Sequence, residues 1–223
     1  MPEAMLRAMS EFGEPVPLPA FGNLPVPVCA HPDMLVAKIN GKLLTHLEYL
    51  NGRELLKNLG IPFTVSYALV RGEYPLDIRL NCLATDTLFL SYEKYVSREA
   101  MMLARQAGLR RVPVSQGYTK CSCACAKNAI ATMDPGIAKA ASAAGAEVLL
   151  LEPSVIGIER YNTGFIGGAS VLLDENTLGF FGNIEAFGQY QALAEFFESR
   201  GVRLVSLGDA PLFDYGGAVD IEV

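Results

Sequence analysis

The feature that most constrains this chain is a recurring order of elements, strand–turn–strand–helix–strand, with a period of roughly 40 residues. One such unit cannot bury its apolar face alone and must stack on copies of itself. The clearest copy spans Gln116 to Pro153. Lys120 to Ala126 and Ala129 to Met133 read as short strands around the turn pair Lys127-Asn128. Asp134 caps the next helix, and Pro135 takes the first helical position, where a missing N–H costs nothing. The alanine-rich run Gly136 to Ala144 continues to a stop at Gly145, and Glu147 to Leu151 returns as an apolar strand.

Three further stretches obey the same grammar. Leu35 to Ile39 and Lys42 to Thr45 flank Asn40-Gly41, the strongest short hairpin signal, with Asn51 placed to cap a helix to Leu59 and Ile61 to Tyr67 returning. Leu80 to Ala84 and Thr87 to Ser91 flank Thr85-Asp86, followed by a helix from about Arg98 to Ala107 and a strand from Arg110 to Val114. Gly168 to Leu173 and Leu178 to Phe181 precede a helix from about Gln189 to Ser199 and a strand from Val202 to Ser206. The chain ends supply parts of a fifth copy: Ala218 to Val223 as first strand, Glu3 to Phe12 as helix and Val26 to Ala30 as last strand. Pairing of these pieces would close a ring and remove exposed strand edges. The expected fold class is therefore α/β, a five-unit pseudo-symmetric α/β propeller closed by its termini. Residues 1–223 form a single domain, with units near 34–67, 80–114, 120–151, 168–206, and 218–223 completed by 1–30. An ordinary α/β sheet with coincidental spacing is the alternative.

Length and composition fit that scheme, since 223 residues at 51% hydrophobic content can bury a substantial core. The Pro-rich stretch Gly13 to Pro27 reads as an extended surface connection. A formal charge of −6, no Trp and no Lys/Arg run argue against nucleic-acid binding. No apolar stretch reaches about 18 residues free of charges and turn residues, which argues against a membrane span. Glu3 and Glu11 interrupt the first helix, so it does not read as a signal peptide. Five cysteines, three of them at Cys121, Cys123 and Cys125, do not resemble a secreted disulfide framework, and a cytoplasmic location is expected. The sequence leaves a homodimer open.

The phrases YPLDIRLN from Tyr74, QGYTKC from Gln116, YNTGFIGGAS from Tyr161 and DYGGAVDI from Asp214 resemble an uncharacterised bacterial family of the pentein, or guanidino-group-modifying enzyme, fold. The resemblance covers about residues 34 to 223. It implies five strand-strand-helix-strand units in a ring. It also implies kinship with deiminases, dimethylarginine hydrolases and amidinotransferases, which attack a guanidinium carbon with a cysteine thiolate. In those enzymes the cysteine lies near the C-terminus, a histidine on a central unit, and carboxylates bind the guanidinium. This chain departs from the pattern: Asp214 to Val223 contains no cysteine, and neither histidine lies beyond His46. Non-catalytic members of the fold exist, so fold alone establishes no activity.

In a ring of such units the starts of the first strands converge on the axis, so polar residues there would line a pocket. That rule selects His31 with Asp33, Asp77 with Asn81, Tyr118 with Lys120 and Cys121, Asn162 with Gly167 and Gly168, and Asp214. Cys121, His31 and Asp77, from three copies, would supply a thiolate, a proton shuttle and a guanidinium-orienting carboxylate. The plainer alternatives are a turn residue before Pro32 for His31, a loop cap for Asp77, and satisfied backbone at a strand start for Asn81. Alternation along a strand would put Lys120 and Cys121 on opposite faces. Same-face cysteines roughly 6.5 to 7 Å apart do not suit one zinc ion, so no metal is expected and core packing is the simpler role. Gly167 and Gly168 can offer N–H groups to a ligand or permit close backbone approach. Lys120 can hold a substrate carboxylate or pair with Asp77 or Asp214. The preferred function is binding of a small guanidino or amino-acid-like molecule, without cofactor and without the standard catalysis. The alternatives are a cysteine-dependent guanidino hydrolase or amidinotransferase with a rearranged triad, and a protein-interaction module.

Overall fold

The computed structural model describes residues 1–221. It opens with helix α1 (Glu3–Met9), a 3-10 turn at Val26–Val28 and the short helix α2 (Pro32–Leu35). Four units follow. The first is β1 (Val36–Ile39), β2 (Lys42–His46), α3 (Leu50–Asn58) and β3 (Phe63–Ser66). The second is β4 (Leu83–Ala84), β5 (Leu88–Ser91), α4 (Arg98–Gln106) and β6 (Arg110–Pro113). The third is β7 (Cys123–Ala126), β8 (Ala129–Thr132), α5 (Pro135–Ala143) and β9 (Glu147–Leu150). The fourth is β10 (Ser170–Asp174), β11 (Thr177–Phe180), α6 (Tyr190–Glu198) and β12 (Arg203–Ser206). Each unit forms its own three-stranded sheet, an antiparallel hairpin whose second strand pairs in parallel with the third. Among the described residues no sheet closes on itself.

Local chemistry accounts for most boundaries. Asn40 and Gly41 both take positive φ, 48° and 75°, the backbone that a two-residue hairpin loop between twisted strands needs. Asp134 accepts from the Ile137 N–H at 2.8 Å and so starts α5, as expected. Asn51 does not cap α3. The helix begins at Leu50 with Tyr49 at the N-cap position. Tyr49 is almost fully buried and its hydroxyl donates to the Pro19 carbonyl, so tertiary anchoring sets this helix start in place of a side-chain cap.

The helices bridge successive sheets. Ala100, Leu103 and Ala104 of α4 pack with Ala37, Ile39 and Leu44 of the first sheet, and Ile137 and Ala141 of α5 pack with Leu83, Leu88 and Val112 of the second. Leu193 and Phe197 of α6 cover Ala124, Ala129 and Ala131 of the third. Met5 of α1 takes the same relation to the fourth sheet, against Val171, Phe181 and Leu207. The N-terminal helix thus stands where the helix of a fifth unit would. Hairpin tips are also joined: the Asn128 side-chain oxygen accepts from the Thr85 and Thr87 hydroxyls, and Lys127 Nζ donates to Asn176.

The fifth unit is otherwise unlike the expectation. Val26 to Ala30 is not a strand but contains the 3-10 turn, because Pro25 and Pro27 lack the N–H groups a ladder requires. Ala218 to Ile221 carries no strand, and the last two residues of that expected strand, 222 and 223, lie outside the described residues. Three first strands also begin late, at Leu83, Cys123 and Ser170 instead of Leu80, Lys120 and Gly168. Their leading residues leave the ladder to make other bonds. Among the described residues no helix is long and apolar enough to cross a membrane.

Candidate functional site

Those leading residues meet at the centre of the units. Asn81 Nδ2 donates to the Asp33 carbonyl at 3.3 Å, and the Lys120 and Cys121 N–H groups donate to Asn81 Oδ1 at 2.8 and 3.3 Å. The Gly168 N–H donates to the Cys121 carbonyl at 3.0 Å, the Gly217 N–H to the Gly168 carbonyl at 2.8 Å, and the Asp33 N–H to the Gly216 carbonyl at 3.0 Å. Starting and ending at Asp33, these bonds make one closed circuit through the segments ahead of β4, β7 and β10 and the C-terminal stretch. Gly216 and Gly217 take φ of 78° and 70°, and a side chain on Gly216 would overlap His31. A side chain on Gly167 would overlap the Lys120, Cys121 and Cys123 carbonyls, and one on Gly168 the Asp214 carboxylate. Close backbone approach is built into this centre.

Lys120 and Cys121 reach it together because they do not lie in a strand. The Ser122 N–H and hydroxyl both donate to the Tyr118 carbonyl, and the Cys123 N–H to that of Lys120, which winds residues 118–122 into a turn. Strand alternation therefore does not separate the two, contrary to expectation.

The side chains form three linked sets. The Cys121 thiol donates to Asp33 Oδ2 at 2.9 Å, while Asn81 Nδ2 donates to its sulfur at 2.8 Å. The Tyr118 hydroxyl donates to Asp77 Oδ2 at 2.7 Å. Asp214 accepts from the Phe165 and Gly216 N–H groups at 2.8 and 2.9 Å and faces His31 Nδ1 at 3.7 Å. Asp33, Asp77, Asn81, Cys121 and Asp214 are all buried. Asp33 Oδ1 and Asp77 Oδ1 have no hydrogen-bond partner among the described residues.

Burial dominates the electrostatics. It pushes the Asp33 carboxyl up to about 7, helped by the Asp214 charge and opposed by Cys121 and Lys120. Burial also raises Asp214, against the pull of its two backbone donors and Lys120. The Cys121 thiol is held well above its ordinary range by burial and then by Asp33 and Asp214. Burial lowers His31 to about 4, which makes it a neutral imidazole at neutral pH. Along one side of the cluster Tyr74, Tyr118 and Phe165 stand in a row of tilted rings, with centroids 5.6 and 5.8 Å apart.

Cys121, His31 and Asp77 all belong to this region, yet they are not hydrogen-bonded to one another. Each has another partner: Asp33, Asp214 and Tyr118. Asn162 is exposed and makes no hydrogen bond to the cluster. Among the described residues Lys120 Nζ has no ion-pair partner; it lies beside Gly217. Asn81 carries more of the site than a strand-start role suggests, joining three segments through one amide. Its signal in the sequence is a lone Asn directly before an apolar strand. Of the remaining cysteines Cys82 and Cys123 are buried, whereas Cys29 and Cys125 are only partly so. A cleft of about 970 Å³ beside the cluster, between α1, the Pro-rich segment, β1 and β10, touches it at His31 and Gly217. Among the described residues no His/Cys/Asp/Glu group can hold a metal ion.

In its fold the chain is similar to solved structures of other proteins. The amidinotransferase SxtG from Microseira wollei matches with a TM-score of 0.52 at 12% identity, covering 97% of this chain and 78% of that one. A dimethylarginine dimethylaminohydrolase matches with a TM-score of 0.51 at 14% identity, covering 91% and 80%. A C. jejuni agmatine deiminase matches at a TM-score of 0.47 and 11% identity, over 76% of this chain, which spans 64% of its length. These likenesses concern the fold, and the last is too distant to carry an argument. No curated protein sequence matches. The chain belongs to the family of unknown function DUF6873, whose model covers residues 1–219.

Proposed function

We propose that the centre of the units binds a small organic cation, a guanidino or amino-acid-like molecule, on a five-unit ring that lacks the standard cysteine–histidine arrangement. The observation that carries this is the pair of buried carboxylate oxygens without partners, Asp33 Oδ1 and Asp77 Oδ1. Buried polar atoms are almost always hydrogen-bonded, and a bare carboxylate oxygen is costly to bury, so each marks a place where a donor belongs. A guanidinium is a planar donor array suited to carboxylates, and the Tyr74–Tyr118–Phe165 row offers ring faces beside one of them. The names of the two solved relatives, a dimethylaminohydrolase of dimethylarginine and an amidinotransferase, point to the same ligand class. The hydrogen-bond circuit and the position of α1 support five-fold organisation without a fifth sheet.

Titration calorimetry with methylguanidine, arginine and guanidinoacetate, and with urea as a neutral control, tests the proposal. Saturable binding of the cations but not urea is expected, and Asp77→Asn should weaken it at least about tenfold. Equal or absent response to cations and urea would end it. The Cys121–Asp33 contact favours a second function, a cysteine-dependent hydrolase or transferase in which a carboxylate accepts the thiol proton. Under that alternative Cys121 is alkylated fast by iodoacetamide at neutral pH and protected by a guanidino compound. Binding without turnover leaves it inert until the protein unfolds.

A further inference from the structure

The two oxygens of Asp33 are not equivalent. Oδ2 receives the Cys121 thiol at 2.9 Å, whereas Oδ1 faces no donor and is sealed from water in a residue only 4% exposed. The charged and titratable groups around this carboxyl come from two segments of the circuit. Asp214 stands on the C-terminal stretch and Lys120 and Cys121 on the turn before β7, while His31, just ahead of α2, faces Asp214. Asn81, from the segment before β4, contributes a neutral amide to the Asp33 carbonyl and none to its carboxylate. Asp214 keeps both its oxygens occupied by N–H donors and so remains the better-solvated anion of the two.

We propose that Asp33 exchanges a proton for the ligand's cation: Oδ1 carries the proton in the empty protein and surrenders it when a cationic head group takes its place. Three features of the geometry support this. An ionised Oδ1 without a donor, next to the Asp214 charge, is the costliest species the cluster can hold. A proton on Oδ1 leaves Oδ2 as a carbonyl oxygen, still able to accept the thiol. A cation brings the charge and donors that Oδ1 lacks, so it binds the ionised form alone. The proton leaves to solvent, and protein plus ligand gains no net charge at that position. The burial that raises Asp33 to about 7 puts the exchange within the neutral pH range.

This rests on the proposed binding of an organic cation, and its test separates the two. Methylguanidine, arginine and guanidinoacetate are titrated into the full chain in buffers of different ionisation enthalpy at about pH 6, 7 and 8. The expected result is about half a proton released per cation bound near pH 7, rising toward one at lower pH. Affinity should be about tenfold weaker at pH 6 than at pH 8, the slope a single proton exchange imposes. Asp33→Asn, with no carboxylate to ionise, should weaken binding itself and leave any remaining binding without proton release or pH dependence. If that variant does not fold, infrared spectroscopy of the native protein takes its place. A protonated-carboxyl C=O band present without ligand should disappear on binding and shift in Cys121→Ser, where the donor to Oδ2 changes. Binding with no proton release and a flat pH profile overturns the exchange and leaves the binding proposal standing. Failure of all three cations to bind overturns both.

Discussion

Asn81 shows how much one side chain can carry. Its amide oxygen accepts from two backbone N–H groups of the third unit, and its amide nitrogen reaches the Asp33 carbonyl and the Cys121 sulfur. Truncation would strip partners from several buried groups at once, each costing about 1–3 kcal/mol. Asn81→Ala should therefore destabilise the protein by about 2–4 kcal/mol in urea denaturation. Loss below about 1 kcal/mol would mean that the circuit is not structural. The buried ionisable residues also set opposed pH dependences. His46 is fully buried, bonded to the Met34 carbonyl at one nitrogen, and lowered to about 4 by burial, and His31 is lowered likewise. Their neutral forms favour the native state above the unfolded histidine value, and that contribution is lost as pH falls through about 4. Asp33 acts the other way: its stabilising contribution is complete at low pH and is lost as pH rises through about 7. Between these limits the slopes offset. In denaturation curves across mildly acidic pH, Asp33→Asn should lose stability more steeply on acidification than the parent protein, and His46→Gln less steeply.

At the scale of elements, the hairpin and helix-end signals act locally and survive packing. Asp134 supplies the cap of α5 through one hydrogen bond to Ile137 and also receives Gln116, so Asp134→Ala should cost about 1–2 kcal/mol, read as a lower urea midpoint with an unchanged slope. Where a tertiary contact competes, local signals yield. Asn51 loses the cap position because the buried Tyr49 anchors the chain two residues earlier. The first strands shorten for a related reason. Leu80, Lys120 and Gly168 have the residue types of a strand edge, but the backbone around them is drawn to the centre, where it pairs across units. Periodicity cannot distinguish a strand's first residue from a residue that has turned inward to meet another segment.

For the whole molecule, the repeat was legible because each copy carries its own turn, cap and stop. Of the expected fifth copy, the described residues show only a helix, Glu3–Met9. Met5 buries itself against Val171 of β10 and against Phe181 and Leu207, which directly follow β11 and β12, and Met5→Ala should cost about 2–4 kcal/mol by the same denaturation measurement. The strand expected at Val26 to Ala30 fails because its prolines cannot join a ladder, a constraint present in the sequence but outweighed there by symmetry. Part of the candidate region was also visible: applying one geometric rule to each copy selects Asp33, Asn81, Cys121 and Gly168, which the circuit joins, and Asp214, which accepts from Gly216 beside it. Which side chain pairs with which was not visible. Those pairings depend on the turn at 118–122 and on rotations of a few ångströms, so Cys121 meets Asp33, not His31, and Asn162 remains outside. The most direct test of the account is a crystal structure of the protein with methylguanidine. The account predicts the guanidinium within hydrogen-bond distance, about 2.7–3.2 Å, of Asp33 Oδ1 or Asp77 Oδ1. Methylguanidine bound only in the cleft between α1 and β1, with both oxygens still unpartnered, would contradict it.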